Sequence, residues 1–527
     1  MTHPALPPPI EAFYRRLERE CQPASVPLIE THISWVILAG DYAYKIKKPV
    51  DFGFLDFSTP ERRYFFCREE LRLNRRLAPG LYLDVIGIDG GPDRLDPDAP
   101  TPRGEYAVML KRFDEDKLAV ALAERGGLTE AHIDGLADAL ADFHLSAAQA
   151  DENSGLGSPE CIASAAAHNF PAVEAALTEP EAWTRLRAIR DWTVALGERL
   201  RPTLIQRKRD GHVRECHGDL HLGNLVAEGD RLVPFDCIEF SEELRWIDTL
   251  SELAFIVMDL EVRGLSELAW RLLNRYLAHT GDYTGLAVFD YYRVYRAMVR
   301  AKIACLTRQQ AEEEQKAELE RQCLHYLEYA SRIIAKHRPM LIITHGLSGS
   351  GKSWLAHRLA AALPAVRIAS DIERKRLAGY PATASTDPGL YAQPQTEATY
   401  ERLRTCAGSL LQAGHNVIVD ATFLKAGYRD RFRDLARQAA IPFKILDLVA
   451  PEPLLRQRIE SRRLSGGDPS EATLAVLEAQ ITGAEPLSAT ERLASVEVDA
   501  GTPLDFPAVL AALDPDKLRA GAPKPLS

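Results

Sequence analysis

Alternating apolar and polar positions predict paired strands near the start of the chain. Residues 34–38 and 42–47 are rich in aromatic and β-branched side chains, and Ala39-Gly40-Asp41 lies between them, which predicts a β-hairpin. Residues 62–77 place their apolar side chains on one helical face, and residues 106–110 form another apolar run. We expect a helix and a strand there, both in a strand-rich first lobe.

Helical periodicity dominates the next part of the chain. Residues 130–200 are rich in Ala and Leu and are interrupted by a Gly/Ser loop near 151–159, and helical patterns return over 246–336. Between them, residues 217–240 are predicted to form a loop and a short hairpin that turns at Gly229-Asp230. Strands first and helices afterwards predict a two-lobed α+β domain.

The last third of the chain alternates strands and helices. Apolar runs at 341–344, 366–369, 416–420 and 443–448 are separated by helical patterns, the first of them over 354–363. This alternation predicts an α/β domain with a parallel sheet that is covered by helices on both faces.

Four segments follow from these patterns. They are a Pro-containing N-terminal segment over 1–24, the α+β domain over 25–335, the α/β domain over 339–500, and a terminal helix with a disordered tail over 501–527. A chain of 527 residues is too long for one ordinary core, which agrees with this division. Because only a few residues separate the two domains, we expect them to pack against each other.

Composition is typical of a soluble globular protein, with 46% hydrophobic and 26% charged residues. The longest apolar runs fall short of the roughly 18 residues that span a bilayer. Residues 1–10 lack the basic region and apolar core of a signal peptide, so a cytoplasmic location is expected. The eight cysteines show no C-x-x-C pair, and we interpret them as reduced and mostly buried rather than as a metal or disulfide framework.

The net charge of −11 is unevenly distributed. Residues 1–337 hold 41 Lys and Arg against 54 Asp and Glu, whereas residues 338–527 hold 23 against 21. Neither part has the basic surplus of a general nucleic-acid-binding surface. An acidic first domain suits a cationic substrate, but it is more often a solubilising surface.

A phosphate-binding loop follows the first strand of the α/β domain. The segment 346–353 reads Gly-Leu-Ser-Gly-Ser-Gly-Lys-Ser and matches G-x-x-x-x-G-K-[ST] between a predicted strand and a predicted helix. Backbone N–H groups and the helix N-terminus would face the phosphates, Lys352 would reach the β/γ-phosphates, and Ser353 would hold Mg²⁺. The predicted nucleotide-binding residues of this loop are Gly346, Gly349, Ser350, Gly351, Lys352 and Ser353.

Two acidic positions end strands of the same domain. Asp420 ends the run 416–420, as expected of a second Mg²⁺-coordinating residue, although strand-terminal aspartates also cap helices. Asp371 follows the run 366–369, at the sheet edge where ligands bind in α/β folds. We expect Asp371 to accept a proton from a substrate hydroxyl and Arg374, one turn later, to hold an anionic group. A helix N-cap at Asp371 is compatible with that role.

Arginines cluster before a Gly-Gly-Asp-Pro loop at 466–469. They are Arg456, Arg458, Arg462 and Arg463. In a phosphoryl-transfer enzyme such a helix often forms a lid that brings guanidinium charge to the phosphate, and we expect Arg458 and Arg462 to do so. A solvated basic helix face is the alternative for each.

These features resemble the small-molecule kinase branch of P-loop proteins, which includes gluconate-kinase-like, zeta-toxin-like and polynucleotide-kinase-like domains. The resemblance covers residues 339–500. The Asp371-x-x-Arg374 spacing is similar to the general base and substrate arginine of the polynucleotide-kinase-like group. The resemblance implies the fold and ATP as phosphate donor, and it leaves the acceptor open.

A second phosphoryl-transfer motif lies in the α+β domain. Residues 217–224 read His-Gly-Asp-Leu-His-Leu-Gly-Asn, and a hairpin then leads to Asp236. H-x-D-x-x-x-x-N followed by such an aspartate is the layout of a kinase catalytic loop and its metal-binding aspartate. Asp219 would accept the hydroxyl proton, Asn224 and Asp236 would hold Mg²⁺, and His217 would brace the loop through hydrogen bonds.

This motif resembles the H-G-D-x-x-x-x-N of aminoglycoside phosphotransferases. Together with the segment 48–57, it is similar to a bacterial family described as bifunctional aminoglycoside phosphotransferase/ATP-binding proteins. The resemblance implies a protein-kinase-like fold with a phosphate-binding lysine on the strand 42–47. Lys45 fits the apolar-Lys-apolar pattern best, and Lys47 lies on the same strand face. Its acidic partner would be Glu70 or Glu69 on the following helix.

Two departures concern the flap over the phosphates and the substrate. No G-x-G-x-x-G precedes Lys45, and the absence of this motif is normal in the antibiotic-kinase branch. No aminoglycoside-specific signature follows residue 240. Glu239, Asp248 and Glu252 place acidity near the expected acceptor cleft, or else they are structural. The family name is therefore no substrate assignment.

The sequence predicts an ATP- and Mg²⁺-dependent phosphotransferase with two nucleotide sites, each acting on the hydroxyl of a small molecule. One alternative is that one half is a regulatory ATP-binding module. Another is that the P-loop half is a polynucleotide 5′-hydroxyl kinase acting on short ends. No membrane partner is expected, and the sequence leaves the acceptors and the oligomeric state open.

Overall fold

The computed structural model describes residues 6–22, 25–53, 55–88, 104–335, 338–381, 392–465 and 473–513. Parts of three predicted features lie outside these residues: the N-terminal segment at 1–5 and 23–24, the Gly-Gly-Asp-Pro loop, and the tail over 514–527. Among the described residues no helix combines the length and the apolar composition needed to cross a bilayer.

The strands are β1 (Leu28–Glu30), β2 (Ser34–Ala39), β3 (Tyr42–Lys47), β4 (Tyr82–Gly87), β5 (Tyr106–Lys111), β6 (Val213–Glu215), β7 (Leu225–Glu228), β8 (Arg231–Pro234), β9 (Trp246–Asp248), β10 (Leu341–His345), β11 (Ala365–Ala369), β12 (Asn416–Asp420), β13 (Phe443–Val449) and β14 (Ser495–Asp499). The helices are α1 (Pro8–Glu20), α2 (Pro60–Asn74), α3 (Ala119–Glu124), α4 (Glu130–Ser146), α5 (Pro159–Ala167), α6 (Phe170–Ala176), α7 (Pro180–Arg209), α8 (Glu242–Arg245), α9 (Thr249–Val262), α10 (Ser266–Thr280), α11 (Phe289–Gln310), α12 (Glu313–Ile334), α13 (Lys352–Ala362), α14 (Ser370–Leu377), α15 (Gln393–Gln412), α16 (Ala426–Gln438), α17 (Glu452–Ser465), α18 (Leu474–Gly483), α19 (Ala489–Leu493) and α20 (Phe506–Leu513).

Packing divides the chain into two compact units. The first comprises Met1–Ile162 with Ile205–Ile256, and the second comprises Ala163–Leu204 with Val257–Ser527. The second unit thus holds both the P-loop segment and the helices α9 (from Val257) to α12, which the sequence analysis assigned to the first domain.

The first unit is built on a five-stranded antiparallel sheet with the order β1-β2-β3-β5-β4. The predicted hairpin is confirmed: β2 and β3 pair antiparallel, and Gly40 in the turn has φ +57°, a backbone conformation that favours glycine. Apolar residues of α2, including Cys67 and Leu71, pack on the buried face of β5 at Val108. This packing places α2 beside β3.

The segment between β6 and β9 of the first unit is mainly loop and hairpin. The hairpin of β7 and β8 turns at Gly229, as the sequence predicted, and β6 pairs with β9. Where helices were predicted to resume at residue 246, the chain first forms the short strand β9. The loop 217–224 is held between these two small ladders.

The second unit contains a five-stranded parallel sheet with the order β11-β12-β10-β13-β14. The P-loop strand β10 is therefore central, and its apolar residues pack with those of α13 in the main core of this unit. The sequence analysis predicted four of these strands and missed β14, because Ser495–Asp499 alternates as an edge strand does.

Helix α10 packs on the edge of this sheet within the second unit. Asn274 of α10 donates from Nδ2 to the carbonyl oxygen of Ala365 (2.9 Å) and accepts the N–H of Arg367 at Oδ1 (2.7 Å). The amide side chain thus satisfies backbone groups on the free side of strand β11. Helix α10, which the sequence analysis placed in the domain 25–335, thus packs against a strand of the domain 339–500.

Candidate active sites

In the first unit, His217 braces the loop that carries Asp219. Its Nδ1 accepts the N–H of Asp219 (3.3 Å), so Nε2 carries the proton and donates to the carbonyl oxygen of Phe235 (2.8 Å). The imidazole is fully buried, and burial lowers its pKa, although nearby carboxylates oppose that effect. His217 is therefore a neutral structural link between the loop and β8.

Gly218 lets this loop approach a buried carboxylate. Its backbone has φ +91°, and its N–H donates to Glu252 Oε2 on α9 (2.7 Å). The other oxygen of Glu252 contacts His144 Nε2 (2.9 Å). A Cβ at Gly218 would lie 2.8 Å from the carbonyl oxygen of Leu244, so only glycine fits here without displacement.

The structure brings Asp219 and Asn224 together. The Asn224 amide donates to the carbonyl oxygen of Asp219 (2.9 Å) and to its Oδ2 (3.0 Å). The Asp219 carboxylate is 38% exposed, which leaves it accessible to an acceptor hydroxyl. His221 Nε2 lies 3.5 Å from Asp219 Oδ2, close to this carboxylate.

Asp236 occupies a strained backbone position beside this loop. It has φ +65°, which is uncommon for a residue other than glycine, and its N–H donates to the hydroxyl of Tyr82 (3.1 Å). Its carboxylate remains 43% exposed and contacts Lys45 Nζ. Strain of this kind is retained where the surrounding contacts over-determine the conformation.

Both candidate lysines of β3 contact Glu70 on α2. Lys45 Nζ lies 2.9 Å from Glu70 Oε1, and Lys47 Nζ donates to Glu70 Oε2 (2.7 Å). Lys47 also contacts Glu239, whereas Lys45 contacts Asp236. The Lys45 side chain is 15% exposed and that of Lys47 only 1%. Lys45 is thus the lysine that reaches both Asp236 and solvent.

Electrostatics favour the ionised forms of Glu70 and Lys45. Burial alone would raise the pKa of Glu70, but Lys45 and Lys47 outweigh it and lower that pKa to about 2. Burial alone would lower the pKa of Lys45, but Asp236 and Glu70 hold it well above its usual value. For Glu239 burial prevails, and the pKa is raised despite the contact with Lys47.

The other acidic candidates near this site have structural partners. Glu69 pairs with Arg72 (2.6 Å) and with Arg245 (3.3 Å), so Glu70 alone of the two faces the lysines. Asp248 accepts two hydrogen bonds from Arg207 (2.6 and 2.8 Å) inside the first unit. Asp248 is therefore part of a buried ion pair rather than a cleft wall.

The donor set of this site suits Mg²⁺. Asp236 offers a carboxylate, and Asn224 offers an amide oxygen while its nitrogen is bonded to Asp219. Carboxylate and amide oxygens are the hard ligands that this ion prefers. These residues therefore fit the metal that the motif implies.

In the second unit, the P-loop glycines adopt conformations that side chains would disturb. Gly346, Gly349 and Gly351 have φ values of +136°, +85° and +91°. A Cβ at Gly346 would lie 2.5 Å from the carbonyl oxygen of Leu448. Lys352 Nζ donates to the carbonyl oxygen of Leu347 (2.7 Å), so the loop wraps around its own lysine.

Helix α18 supplies a polar group to this loop that the sequence analysis missed. The N–H of Ser348 donates to Gln480 Oε1 (2.9 Å). Leu477, on the same helix, is fully buried against Leu455 and Ile459 of α17, with Leu347 of the loop beside them. No local motif marks Gln480, because it lies 132 residues from its partner.

Asp371 and Arg374 lie in the first turns of α14. Arg374 Nη1 is 3.1 Å from Asp371 Oδ1, and the Asp371 carboxylate is 25% exposed. The helix begins at Ser370 after an N-cap at Ala369, so Asp371 stands inside the first turn and is not the N-cap. Arg376 of the same helix donates to the carbonyl oxygens of Ala278 (2.5 Å) and His279 (3.1 Å), which anchors α14 on the end of α10.

Asp420 has a cationic partner that the sequence did not reveal. Arg367 on the neighbouring strand β11 contacts Asp420 Oδ2 through Nε (3.0 Å) and Nη2 (2.5 Å). Asp420 and Ser353 still offer a carboxylate and a hydroxyl, which are hard oxygen donors that fit Mg²⁺. Arg367 takes Oδ2 of Asp420, so Oδ1 of Asp420 is the oxygen that would bind the metal.

The arginines of α17 divide by their contacts. Arg458 donates to the carbonyl oxygens of Gly349 (3.4 Å) and Ala500 (2.8 Å), beside the P-loop. Arg456 pairs with Glu452 (2.8 Å) and with Glu478 (3.1 Å). The side chains of Arg462 and Arg463 lie outside the described part of the structure.

Comparison with known proteins finds a family match within the C-terminal part of the chain. Residues 341–487 match the family model of the AAA domain. Together with the central strand β10, the glycine loop and the parallel sheet, this match defines a P-loop domain at the C-terminal end. The match covers less than a third of the chain.

Relatives with full-length similarity also exist. An "uncharacterized protein" of Mycobacterium tuberculosis is 29% identical over 457 residues, which are 86% of this chain and 89% of that protein. Among solved structures, a gluconokinase from Sinorhizobium meliloti shows 25% identity over 35% of this chain and 97% of its own, with a TM-score of 0.24. A choline/ethanolamine kinase family protein from Mesorhizobium loti shows 10% identity over 62% and 99%, with a TM-score of 0.33. Likenesses at these scores specify no substrate.

Proposed function

We propose that this protein is an ATP-dependent phosphotransferase with two nucleotide sites, each transferring the γ-phosphate to a hydroxyl of a small molecule. One observation carries the proposal: each unit brings together a lysine for phosphate, oxygen donors suited to Mg²⁺, and a partly exposed carboxylate for the acceptor proton. In the first unit these are Lys45, Asp236 with Asn224, and Asp219. In the second they are Lys352 and Ser353 of the loop after β10, Asp420 at the end of β12, and Asp371 after β11, all at the carboxyl ends of adjacent parallel strands.

In the first site, Asp219 accepts the proton of the acceptor hydroxyl as the oxygen attacks the γ-phosphorus and ADP leaves. Lys45, held by Glu70, neutralises charge on the phosphates that remain with ADP. Mg²⁺, bound by Asn224 and Asp236, would supply further neutralisation of the phosphate oxygens. His217 and Glu252 keep the loop in place, so Asp219 needs little reorganisation.

In the second site, the P-loop N–H groups and Lys352 hold the β- and γ-phosphates, with Ser353 and Asp420 as the metal donors. Asp371 accepts the acceptor proton, and Arg374 lies 3.1 Å from it, where its guanidinium meets anionic groups of the acceptor. Arg458, whose guanidinium donates to the carbonyl oxygen of Gly349, is the described arginine of α17 that would meet the phosphates.

The resemblance to bifunctional aminoglycoside phosphotransferase/ATP-binding proteins supports this division of labour without naming an acceptor. We propose a protein-kinase-like fold for the first domain on the strength of the Lys45–Glu70 contact and the loop at 217–224. The alcohol nature of both acceptors rests on the carboxylates Asp219 and Asp371 as proton acceptors.

One observation favours a second candidate, a P-loop half that binds ATP as a regulatory module. Arg367 forms an ion pair with Asp420, and Gln480 accepts the hydrogen bond of the Ser348 N–H. The expected metal ligand and one phosphate-binding N–H of this site therefore already have protein partners. In such a protein, nucleotide binding to the P-loop would change the activity of the first unit without any product of its own.

Counting nucleotide sites tests the proposal. Isothermal titration of the full chain with a non-hydrolysable MgATP analogue should show two sites. Lys352→Ala should lose the P-loop site, and Lys45→Met should weaken the other site at least about tenfold while the P-loop site keeps its affinity. A single site in the wild type, abolished by Lys352→Ala, would contradict the assignment of the first unit.

A further inference from the structure

The first unit contains more charge than one nucleotide site requires. A chain of five ionisable side chains runs through it in the order Asp236, Lys45, Glu70, Lys47 and Glu239. Phosphate binding in a kinase-type site uses one lysine and its glutamate. Lys47 and Glu239 are therefore surplus to that scheme, yet both are almost completely buried, with 1% and 4% of their side chains exposed.

We propose that Lys47 and Glu239 are positioning residues of the first site: Lys47 holds one oxygen of Glu70 so that the other faces Lys45, and Glu239 balances the charge of Lys47. The inference rests on the proposed function and assigns to Lys47 no contact with the nucleotide. It adds a second, buried lysine–glutamate pair to the pair that orients the phosphate-binding lysine.

The geometry of β3 and α2 carries this assignment. Lys45 and Lys47 are two residues apart on one strand, so their side chains point to the same face of the sheet. Glu70 is fully buried between the two ammonium groups. Lys45 Nζ contacts Oε1 of its carboxylate, and Lys47 Nζ contacts Oε2. Rotation of the carboxylate would break both contacts, so Lys47 fixes the orientation that Lys45 needs.

Removing Lys47 would leave an electrostatic conflict. Glu70 and Glu239 both contact its ammonium group, so without it two buried carboxylates would face each other. Glu70 would then be protonated or displaced. Lys45 would lose its contact with Glu70, which pulls it away from Asp236. The phosphate-binding lysine would then remain on Asp236 instead of turning to the nucleotide.

A second set of contacts joins the same segments. Asn74 of α2 donates to the carbonyl oxygen of Glu70 (2.8 Å) and accepts the N–H of Cys237 (2.9 Å). Arg245 donates to the carbonyl oxygen of Glu239 (3.1 Å). The segment that carries Asp236 is thus fixed to α2 directly at Cys237 and, through Arg245 and its pair with Glu69, at Glu239. The Lys47 pair adds a link from β3.

Burial separates this role from direct phosphate binding. Lys47 Nζ is enclosed by its two carboxylates and lies 4.8 Å from the centroid of the Phe57 ring. Lys45, with 15% of its side chain exposed next to a half-exposed Asp236, is the group that a nucleotide meets. Direct phosphate binding would require the buried Lys47 ammonium group to break its contacts with both Glu70 and Glu239.

The test uses the full chain with Lys352→Ala, so that only the first site binds nucleotide. Binding of MgATP and of adenosine is measured by calorimetry for Lys45→Met, Lys47→Met, the double variant of both, and Lys47→Met with Glu239→Gln. We expect Lys47→Met to weaken MgATP at least about tenfold while adenosine binds unchanged, which also shows that the unit is folded.

The double variant then shows whether Lys47 acts on MgATP binding through Lys45. In the Lys45→Met background, Lys47→Met should have no further effect on MgATP, and Glu239→Gln should restore part of the affinity that Lys47→Met loses. Additive losses in the double variant would overturn the proposal in favour of direct phosphate contact. Unchanged MgATP affinity in Lys47→Met would overturn it in favour of a purely structural pair. If the Lys352→Ala parent itself binds no MgATP, the proposed function of this unit fails instead.

Discussion

Gly218 and Glu252 form the hydrogen bond that fixes the loop of the first site, with the glycine N–H 2.7 Å from the buried carboxylate. Glu252 belongs to α9, and its other oxygen contacts His144 of α4. Glu252 of α9 and His144 of α4, both in the first unit, therefore determine where Asp219 lies. Burial alone would raise the pKa of Glu252, but His144 and the Gly218 N–H outweigh burial and lower it.

Gly218→Ala should abolish transfer by the first site. The added Cβ would lie 2.8 Å from the carbonyl oxygen of Leu244 at a φ of +91°, so the loop must shift away from Glu252. Gly229→Ala is the matched control, since Gly229 also has positive φ but open space around its Cβ position. We expect the control to cost about 1–2 kcal/mol of stability and to keep nucleotide binding, as measured by urea unfolding and titration. Equal effects of the two substitutions would contradict the role of this contact.

Gly346→Ala should remove nucleotide binding from the P-loop site. Its Cβ would meet the carbonyl oxygen of Leu448 at 2.5 Å, which displaces the loop from the end of β13. Gly379→Ala provides the control, because that glycine has φ +77° and nothing within 4 Å of its Cβ position. Titration with an ATP analogue distinguishes the two, and retained binding in Gly346→Ala would show that the loop adapts.

Many of the strands and helices and much of both candidate sites could be predicted from the sequence because their signals are local. The β2–β3 hairpin, the loop at 217–224 with its hairpin, and the P-loop between β10 and α13 all depend on residues close together in the chain. Four of the five strands of the parallel sheet, β10 to β13, were found by their continuous apolar runs.

What the sequence analysis missed depends on partners that are distant in sequence. Arg367 meets Asp420 across 53 residues, and Gln480 meets Ser348 across 132. Neither residue stands in a motif, so their roles follow only from the order of strands in the sheet and the packing of α18. The choice between Glu69 and Glu70 likewise required the position of Arg245, which takes Glu69 away from the lysines.

Glu491→Gln should destabilise the second unit in a pH-dependent way. Burial alone would raise the pKa of Glu491, but hydrogen bonds from the buried Arg429 and from Ser488 lower it to about 2, against 4.5 for an ordinary glutamate. The ionised carboxylate therefore contributes its full stabilisation above about pH 4.5 and loses it as the pH falls toward 2.

Urea unfolding of wild type and variant measures this effect. We expect Glu491→Gln to cost about 3 kcal/mol at pH 7, since it leaves a buried guanidinium without its ionic partner, and less as the pH falls from 5 to 3. Glu401→Gln serves as the control, because its pair with Arg404 is exposed and should change stability by under about 0.5 kcal/mol. A pH-independent difference for Glu491→Gln would contradict the assignment.

Asp371→Asn should separate catalysis from binding at the P-loop site. If Asp371 accepts the acceptor proton, turnover at that site should fall about 10²–10⁴-fold while the affinity for ATP stays the same. Replacing the neighbouring Arg374 with Lys should instead raise the KM for the acceptor, since a guanidinium contact is lost. Full turnover in Asp371→Asn would exclude a role in proton transfer.

The most direct test of the two-site account is transfer of labelled γ-phosphate from ATP into a fractionated extract of small molecules. Wild type is compared with Asp219→Asn and Lys352→Ala, with a short 5′-hydroxyl oligonucleotide as an added acceptor. The account predicts two labelled small-molecule products, one lost in each variant. A single product that disappears in only one variant would contradict it and leave the other unit as a binding module.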